Sequence, residues 1–410
     1  MRVLLVSNLY PPYQVGGFEQ LAAWVAEGLR GRGHETWVLT GHGACLPASR
    51  ELHPDLDLDL ELLAARHLEG GLPPAAGLAA GLRRYVFNPT NFWACLRQIR
   101  ALRPDLVSFW NLSWISPSPL LAARARGVPA VMHLSDTVAN PFRNPHPPSF
   151  PKSWRGAATV AVDALLRWGR PRRLIVPSQF LRRKLLRTEG LPPDRTEVLR
   201  WPVGPGLGVR AGQSRPASSP RRFLFVGALI EEKGVALLVE AFLRALAEEP
   251  DLSLTLVGEG PEALVAQLKH RCEGRPVSFE GRLDRAGVAE AYATHDALVF
   301  PSVWDEPFAL VPLEGQAMGL PVIATSAGGT SEAVEHESDG LLVPPADPAA
   351  LAAAMLRLHR DPALAVRLAE RGERRARDES GFEPFLVRLE ERYRRAADLP
   401  SEGGARGGGP

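Results

Sequence analysis

Residues 299–325 read VFPSVWDEPFALVPLEGQAMGLPVIAT. An apolar run that ends at Pro301 predicts a buried strand, and the polar loop after it carries Glu306. Pro312 stands where a helix can begin, and Glu314 follows the first carboxylate by eight positions. A strand, a loop and a helix start aim backbone N–H groups at an anionic ligand, and carboxylates accept hydrogen bonds from sugar hydroxyls, so the stretch predicts a sugar-nucleotide site. The alternative is a buried βα unit in which Glu314 only favours its helix N-terminus and Glu306 is solvated.

Length and composition limit the class of protein. At 410 residues the chain exceeds what one hydrophobic core usually holds, so we expect two domains. No window approaches the ~18 apolar residues of a membrane-spanning helix, and the N-terminal MRVLLVSNLYPP is typical of a strand rather than a signal peptide. Cys45, Cys95 and Cys272 lack metal or redox spacing, which favours a reducing compartment and predicts a cytoplasmic protein.

Positive charge is concentrated in the first half of the chain. Residues 1–210 carry 26 Lys and Arg against 15 Asp and Glu, or +11, whereas the remaining 200 residues carry 22 against 31, or −9. Basic and aromatic residues alternate in 82–104 and 152–173, as in amphipathic helices that lie on anionic lipid. These segments indicate either a peripheral contact with the inner face of the cell membrane or a solvated helix face with a core stripe. The sequence carries no zinc pattern or nucleic-acid-binding signature, which disfavours nucleic acid as a partner.

Strands alternate with helices along the chain, which predicts parallel sheets covered on both faces. Amphipathic helices are expected over Phe18–Arg30, after a glycine loop, and over Val235–Glu248, after a loop with Lys233 and Gly234. The unit of strand, loop and helix therefore occurs twice, and it predicts an α/β protein of two doubly wound domains with the ligand site in the cleft between them. The expected strands are Val3–Val6, Thr36–Thr40, Leu106–Phe109, Ala130–His133, Leu174–Val176, Phe223–Val226, Leu252–Val257, Val277–Phe279, Ala297–Phe300 and Pro321–Ala324.

Six segments in a fixed order carry a family resemblance. They are SNLYPPYQVGGFE (7–19), VMHLSD (131–136), VGALIEEKG (226–234), VGEGPE (257–262), DEPFALVPLEGQAMGLPVIAT (305–325) and AGGTSEAVEHESDGLLVPP (327–345). Over about residues 1–395 the chain resembles the family-4 (GT4), or group 1, retaining glycosyltransferases of the GT-B fold. The resemblance implies two Rossmann-like domains facing across a cleft. It also implies transfer of a sugar from a UDP- or GDP-sugar to a glycan or lipid-linked acceptor in cell-surface polysaccharide or glycolipid synthesis.

The resemblance assigns roles around the carboxylate pair. Glu306 would hold the hydroxyls of the donor sugar and act in catalysis, and Glu314 would hold the hydroxyls of the ribose. The backbone N–H groups of Phe308, Ala309 and Leu310 would bind the sugar and the diphosphate. The family usually has glycine where this chain has Ala309, and a methyl group is tolerable there if the backbone keeps an ordinary conformation.

By the same resemblance, Lys233 would stabilise the leaving diphosphate in a water-poor site, and so be both catalytic and donor-binding. The family often has an arginine five positions earlier, where this chain has Ala228. Arg282 is the candidate substitute for that cation. With Lys233 and a helix N-terminus to carry the diphosphate charge, we expect no metal and no other cofactor.

The N-terminal domain is expected to contribute Gly16, Gly17 and His133. The two glycines would let the first loop approach phosphate or acceptor closely, or would only form a tight βα turn. The family places a histidine at the position of His133, beside the reacting sugar, whereas the alternative is a structural histidine. The acidic residue that often follows it in the family is Leu134 here, with Asp136 two positions further on. Because no enzymic nucleophile is evident, front-face displacement assisted by the leaving phosphate is the preferred mechanism.

The predicted domain boundaries combine composition with the resemblance. They are 1–205 for the acceptor-side domain, 206–222 for a linker, 223–378 for the nucleotide-sugar domain, 379–398 for a C-terminal helix that packs on the N-terminal domain, and 399–410 for a disordered tail.

Two other functions stay open on the sequence. One is a GT-B enzyme with phosphorylase- or epimerase-like chemistry, which would depend on inorganic phosphate or act on the sugar alone. The other is a non-catalytic sugar-nucleotide binder, which Ala228 in place of arginine keeps in view. A nicotinamide dehydrogenase is disfavoured because neither glycine loop forms GxGxxG.

Overall fold

The structure is a computed structural model, and the chain forms two compact units within it. The first contains Met1–Pro177, Arg182–Leu199 and the chain from Leu386 onward, and the second contains Ser178–Leu181 and Arg200–Phe385. The residues that the structure describes are 1–11, 17–41, 57–58, 77–112, 115–135, 140, 152–169, 171–205, 207 and 219–398. The predictions that lie outside them concern Gly16, Cys45, Asp136, most of the linker (206 and 208–218) and the tail 399–410.

The first unit is built on a parallel sheet of seven strands in the order β3-β2-β1-β4-β5-β6-β7. Apolar residues occupy positions 3–6 of the interior strand β1, and their side chains are buried on both faces, as in sheets covered by helices. The strands are β1 (Arg2–Ser7), β2 (Glu35–Gly41), β3 (Asp57–Leu58), β4 (Leu106–Asn111), β5 (Ala130–His133), β6 (Arg173–Val176) and β7 (Thr196–Val198).

Helices of the first unit follow the apolar period of the sequence. In α1 the residues Phe18, Leu21, Val25 and Leu29 recur every three or four positions and are all buried. In α3 the side chain of the N-cap residue Asn88 accepts from two backbone N–H groups of the first turn. The helices up to this point of the chain are α1 (Gly17–Gly31), α2 (Gly77–Tyr85), α3 (Pro89–Leu102), α4 (Ser118–Ala125), α5 (Lys152–Gly169) and α6 (Gln179–Thr188).

The second unit is built on a parallel sheet of six strands in the order β10-β9-β8-β11-β12-β13. In β8 the side chains of Phe223 and Phe225 join one hydrophobic cluster, and that of Leu224 joins another. This alternation shows that both faces of the sheet are covered. The strands are β8 (Arg222–Val226), β9 (Ser253–Val257), β10 (Val277–Gly281), β11 (Ala297–Phe300), β12 (Val322–Thr325) and β13 (Leu341–Val343).

A short 3₁₀ turn precedes the first helix of the second unit and comprises Glu231–Lys233. The helices are α7 (Val235–Glu248), α8 (Glu262–Arg271), α9 (Arg285–Thr294), α10 (Leu310–Ala317), α11 (Thr330–Ala333), α12 (Pro348–Arg360), α13 (Pro362–Glu379) and α14 (Phe382–Asp398), of which the last continues into the first unit.

Glycines close the loops at the carboxyl edge of the second sheet. A Cβ atom on Gly258 would lie 1.8 Å from the carbonyl oxygen of Gly227, and one on Gly260 would lie 1.9 Å from that of Leu229. The loops after β8 and β9 therefore pack backbone against backbone, which only glycine permits. This edge carries the candidate site.

The predicted α/β class is confirmed, and every predicted strand is present within two residues of its expected bounds. Three strands were not predicted: β3, β7 and β13, which have only two or three residues each. The helix expected to begin near Pro312 begins at Leu310, so the proline lies in the first turn, where a backbone N–H is not needed. Among the described residues, no helix combines the length and hydrophobicity needed to cross a bilayer.

Candidate active site

A buried ion pair lies at the carboxyl edge of the second sheet, beside the end of β11. The Nζ atom of Lys233 donates to Oε1 of Glu306 at 2.6 Å, and the Oγ atom of Ser302 donates to the same oxygen at 2.6 Å. Glu306 is buried, while the lysine is partly open to solvent. Both contacts use Oε1, so Oε2 remains available to a ligand that enters this edge.

The 3₁₀ turn holds the lysine against the carboxylate loop. The carbonyl oxygen of Glu232 accepts from the backbone N–H groups of Val303 and Trp304, at 3.0 and 3.2 Å. Gly234 ends the turn at φ +70°, and a Cβ atom there would lie 2.0 Å from the carbonyl oxygen of Pro301. The sequence EKG at 232–234 therefore fixes where the lysine side chain begins.

Gly328 and Gly329 fix the backbone of Glu306. The N–H of Gly329 donates to the carbonyl oxygen of Glu306 at 2.6 Å. Gly328 has φ +58°, and a Cβ atom on it would lie 2.4 Å from the backbone nitrogen of Glu306. This contact explains why AGG at 327–329 accompanies the carboxylate loop in the sequence.

Glu314 lies in α10 and is held by two side chains of α9. Nη1 of Arg285 donates to its Oε1 at 2.7 Å, and the hydroxyl of Tyr292 donates to its Oε2 at 3.0 Å. Burial, followed by the negative charge of Glu314, raises the pKa of Tyr292 well above its usual value, so the hydroxyl keeps its proton and donates. The alternative of a carboxylate that only favours the helix N-terminus does not describe this residue, because both oxygens have specific partners.

The N-terminus of α10 has no side-chain cap, because its N-cap residue is Ala309. The first backbone N–H groups of the helix therefore donate no hydrogen bond to an N-cap side chain. Its backbone has φ −92° and ψ 99°, an ordinary extended conformation, so alanine is accommodated without strain in the place of the family's glycine. Phe308 is buried and packs edge to face on Trp201, with ring centroids 6.3 Å apart.

The inner side of α10 is fixed by small and polar residues. Gly315 faces β11 so closely that a Cβ atom would lie 2.5 Å from Leu298. Buried Gln316 donates to Oδ1 of Asp339 at 3.1 Å, and Asp339 pairs with Arg375. Segment EGQ at 314–316 thus anchors the helix while its first residue faces α9.

The structure does not bring Arg282 to the ion pair of Lys233. Arg282 lies on the exposed loop between β10 and α9, and within the described chain its side chain has no hydrogen bond or ion pair. Arg285, three positions further on, pairs with the predicted site residue Glu314. Ala228 is exposed in the loop after β8.

His133 belongs to the first unit and ends β5, as predicted. Its Nε2 lies 2.9 Å from the hydroxyl of Tyr393, which lies 2.5 Å from Oγ of Ser108. Trp110 stacks on the imidazole with centroids 3.9 Å apart, and burial lowers the pKa of the histidine to about 3. The imidazole is therefore neutral at physiological pH and acts as a hydrogen-bonding group rather than a cation.

The remaining predicted residues lie at helix starts or are buried thiols. Gly17 is exposed and begins α1, and Leu310 begins α10. Cys95 and Cys272 are buried thiols. In the described part of the chain, no group of three or more His, Cys, Asp or Glu side chains has the arrangement of a metal site.

Four functional candidates were not found from the sequence: Ser302, Arg285, Tyr292 and Tyr393. Arg285 and Tyr292 are seven positions apart, two helical turns, so their common face on α9 was a detectable signal. Ser302 follows a buried strand directly, which was a second signal. Tyr393 is 260 positions from His133, and nothing in the local sequence connects them.

Two family models match the chain, and they cover its two units. "Glycosyltransferase Family 4" matches residues 15–204 and "Glycosyl transferases group 1" matches residues 220–361. Glycogen synthase of Mycobacterium tuberculosis is 29% identical over 409 residues, which cover 92% of this chain and 90% of that protein. The GDP-mannose-dependent alpha-mannosyltransferase of Corynebacterium glutamicum is 26% identical over 354 residues, which cover 84% and 76%.

A solved structure gives the same fold. The crystal structure of Anabaena HepE in complex with UDP has a TM-score of 0.69 at 18% identity and covers 96% of this chain and 100% of that one. The two parallel sheets and these matches together define a GT-B glycosyltransferase. The chain belongs to the family-4, or group 1, glycosyltransferases and is a nucleotide-sugar-dependent transferase.

Proposed function

We propose that the protein transfers a sugar, with retention of anomeric configuration, from a UDP- or GDP-sugar to a glycan or lipid-linked acceptor in cell-surface polysaccharide or glycolipid synthesis. The observation that carries the proposal is the contact of Lys233 with Oε1 of the buried Glu306, at the carboxyl edge of a parallel sheet and close in sequence to an uncapped helix. A cation, a carboxylate and free N–H groups are the chemistry that a sugar diphosphate requires.

In this proposal the ion pair exchanges partners when the donor binds. The diphosphate takes the ammonium of Lys233 and the N–H groups of Ala309 and Leu310. Glu306, still held by Ser302, then accepts hydrogen bonds from the hydroxyls of the sugar. Pairing with the lysine keeps the buried carboxylate compensated, since an unpaired buried charge is costly.

Glu314 serves the ribose. Its two oxygens are already oriented by Arg285 and Tyr292, and a carboxylate has further lone pairs with which to accept from ribose hydroxyls. A preoriented acceptor loses little freedom on binding, which favours affinity for the nucleotide rather than a contribution to turnover.

The transfer proceeds by front-face displacement. The bond between C1 of the sugar and the diphosphate oxygen breaks, and its electron pair stays on the diphosphate. The acceptor hydroxyl oxygen bonds to C1 on the same face, and its proton passes to the departing phosphate oxygen. Lys233 stabilises the charge that grows on the diphosphate, and neutral His133 offers a hydrogen bond to the reacting sugar.

We expect the diphosphate charge to be carried without a metal ion or other cofactor. The support is the cation at Lys233 and the N-terminus of α10, which together supply the positive charge that a divalent ion would otherwise give.

A thermal-shift panel of UDP-, GDP- and ADP-sugars, followed by donor hydrolysis with the best stabiliser, tests the proposal. A ligand at 100 times its Kd raises the unfolding free energy by about 2.7 kcal/mol, which gives a measurable shift. We expect one nucleotide class to stabilise the protein and its sugar to be released slowly in the absence of acceptor. Stabilisation by none of the donors would contradict the proposal.

A non-catalytic sugar-nucleotide binder is the second candidate, because Ala228 lacks the cation that the family often has there. It predicts stabilisation by a nucleotide sugar with no hydrolysis on long incubation. A phosphorylase-like enzyme would instead require inorganic phosphate and release a sugar phosphate.

A further inference from the structure

Exposed apolar side chains are concentrated on three helices of the first unit. Trp93 on α3 is 61% exposed, Trp154 and Trp168 on α5 are 51% and 55% exposed, and Val160 between them is 65% exposed. Leu82 on α2 and Phe87 just after it are exposed as well, so six of the eight large hydrophobic residues that are exposed in the described part of the chain lie between 82 and 168. Where exposed apolar side chains form a contiguous strip, they mark a contact region, and α5 carries such a strip.

Helix α5 has two sets of apolar residues, and within the described part of the chain one of them is packed. Ala158, Val162 and Leu166 form the inner face and pack on Tyr85 of α2. The other face consists of apolar residues at spacings of three and four, all exposed or half-exposed: Trp154, Ala157, Ala161, Leu165 and Trp168. We call this second set, with Val160 at its border, the Trp face of α5.

The geometry of the Trp face fits a flat partner. Its two tryptophans are fourteen residues apart, which is about 21 Å along the helix at the usual rise. Both project from the outer side of a helix whose inner side is already packed. An exposed strip of this length lies on a plane more readily than it fills a groove.

The charge of α2, α3 and α5 favours an anionic partner. The described stretch 77–104 contains five arginines and no acidic residue, and Arg97 and Arg100 of α3 are exposed. Helix α5 carries Lys152 and Arg167 near its two ends. A second copy of the chain would present the same positive surface, and like charges disfavour that contact.

We propose that the Trp face of α5 docks on an anionic lipid surface, with the tryptophans at the level of the headgroups and the basic residues of α3 and α5 against the phosphates. Tryptophan prefers this level of a bilayer because its ring is apolar and its N–H is polar. The purpose, to bring the first unit to a lipid-linked acceptor, rests on the proposed function, whereas the docking itself does not.

Sedimentation of the full chain with vesicles tests the inference. The vesicles contain phosphatidylglycerol and phosphatidylcholine in equal parts, or phosphatidylcholine alone. We expect binding only to the vesicles that contain phosphatidylglycerol. Binding should weaken as the salt concentration rises from low to physiological, because the Debye length shortens and the attraction between the basic residues and the lipid is screened. The double variant W154S/W168S should need about tenfold more lipid for half-binding. V387S, which removes an exposed apolar residue elsewhere on the first unit, should bind as the wild type does.

The charge is tested separately with R97S/R100S, which should weaken binding at low salt more than at high salt. Binding that W154S/W168S leaves unchanged would overturn the role of the Trp face, as would absence of the wild type from both pellets at low salt. A wild type that is dimeric while W154S/W168S is monomeric, with no vesicle binding, would identify the face as a self-contact and also overturn the inference. Donor hydrolysis without lipid should be the same in W154S/W168S and wild type, so a failure of docking is distinct from a failure of the proposed function.

Discussion

At the residue scale, Glu306 and Glu314 differ in how many of their carboxylate oxygens already accept hydrogen bonds from the protein. Both oxygens of Glu314 have protein partners, whereas the two side-chain contacts of Glu306 use one oxygen, and one of them comes from Lys233, the cation that the diphosphate would recruit. The two carboxylates, eight positions apart, therefore have different physical tasks although the sequence presents them as a pair.

We predict that Glu306→Gln lowers turnover at least about tenfold while the Kd of the nucleoside diphosphate changes little, because its ligand is the sugar and the freed Lys233 still meets the diphosphate. Glu314→Gln should instead raise that Kd. Turnover and calorimetric titration of the nucleotide on both variants measure this. Equal effects of both substitutions on both quantities would remove the division of roles.

A second prediction at this scale concerns His133. Burial lowers the pKa of its imidazole to about 3 from an ordinary value near 6.5, so between these values the unfolded chain binds a proton that the folded chain does not. The unfolding free energy should therefore fall as pH drops from about 6.5 toward 3. His133→Gln should show a shallower fall over that range in urea titrations at several pH values. Identical slopes would mean that other groups cause the acid limb.

At the element scale, the EKG turn depends on Gly234. We predict that Gly234→Ala destabilises the protein and lowers donor turnover, because the new methyl group would meet the backbone of Pro301 and displace Lys233. Gly274→Ala is the matched control: its φ is +69°, close to the +70° of Gly234, and nothing lies within 4 Å of its Cβ position. The control should cost about 1–2 kcal/mol from the left-handed backbone alone.

Urea midpoints and turnover of the two variants separate the effects. If both alanines shift the midpoint equally and leave turnover intact, then the close approach of the two backbones does not position the lysine.

The elements also show how far the sequence could predict this molecule. Long apolar runs such as β1 and β11 were predicted because burial on both faces of a parallel sheet leaves few polar residues in them. The three-residue strands β7 and β13 were not, since three residues carry no period. The sequence grouped the candidate residues that are close together, at 306–314, but it gave no direct link to the two residues of α9 that contact Glu314.

At the scale of the whole molecule, charge is divided between the halves of the chain. The half with the net charge of +11 also carries the exposed tryptophans of α3 and α5, and the half with −9 carries the ion pair of Lys233 and Glu306. We propose that this partly exposed cation, paired with a buried carboxylate, selects for a ligand that is both anionic and rich in hydroxyls.

Donor hydrolysis in the presence of EDTA tests that claim most directly, measured on wild type and Lys233→Ala with the best-stabilising nucleotide sugar. We predict that EDTA leaves wild-type turnover nearly unchanged and that Lys233→Ala lowers it about 10²-fold, because the lysine stabilises charge that grows as the diphosphate departs. Wild-type activity that EDTA abolishes and manganese or magnesium restores would contradict the account, and so would a Lys233→Ala variant that hydrolyses the donor as fast as the wild type.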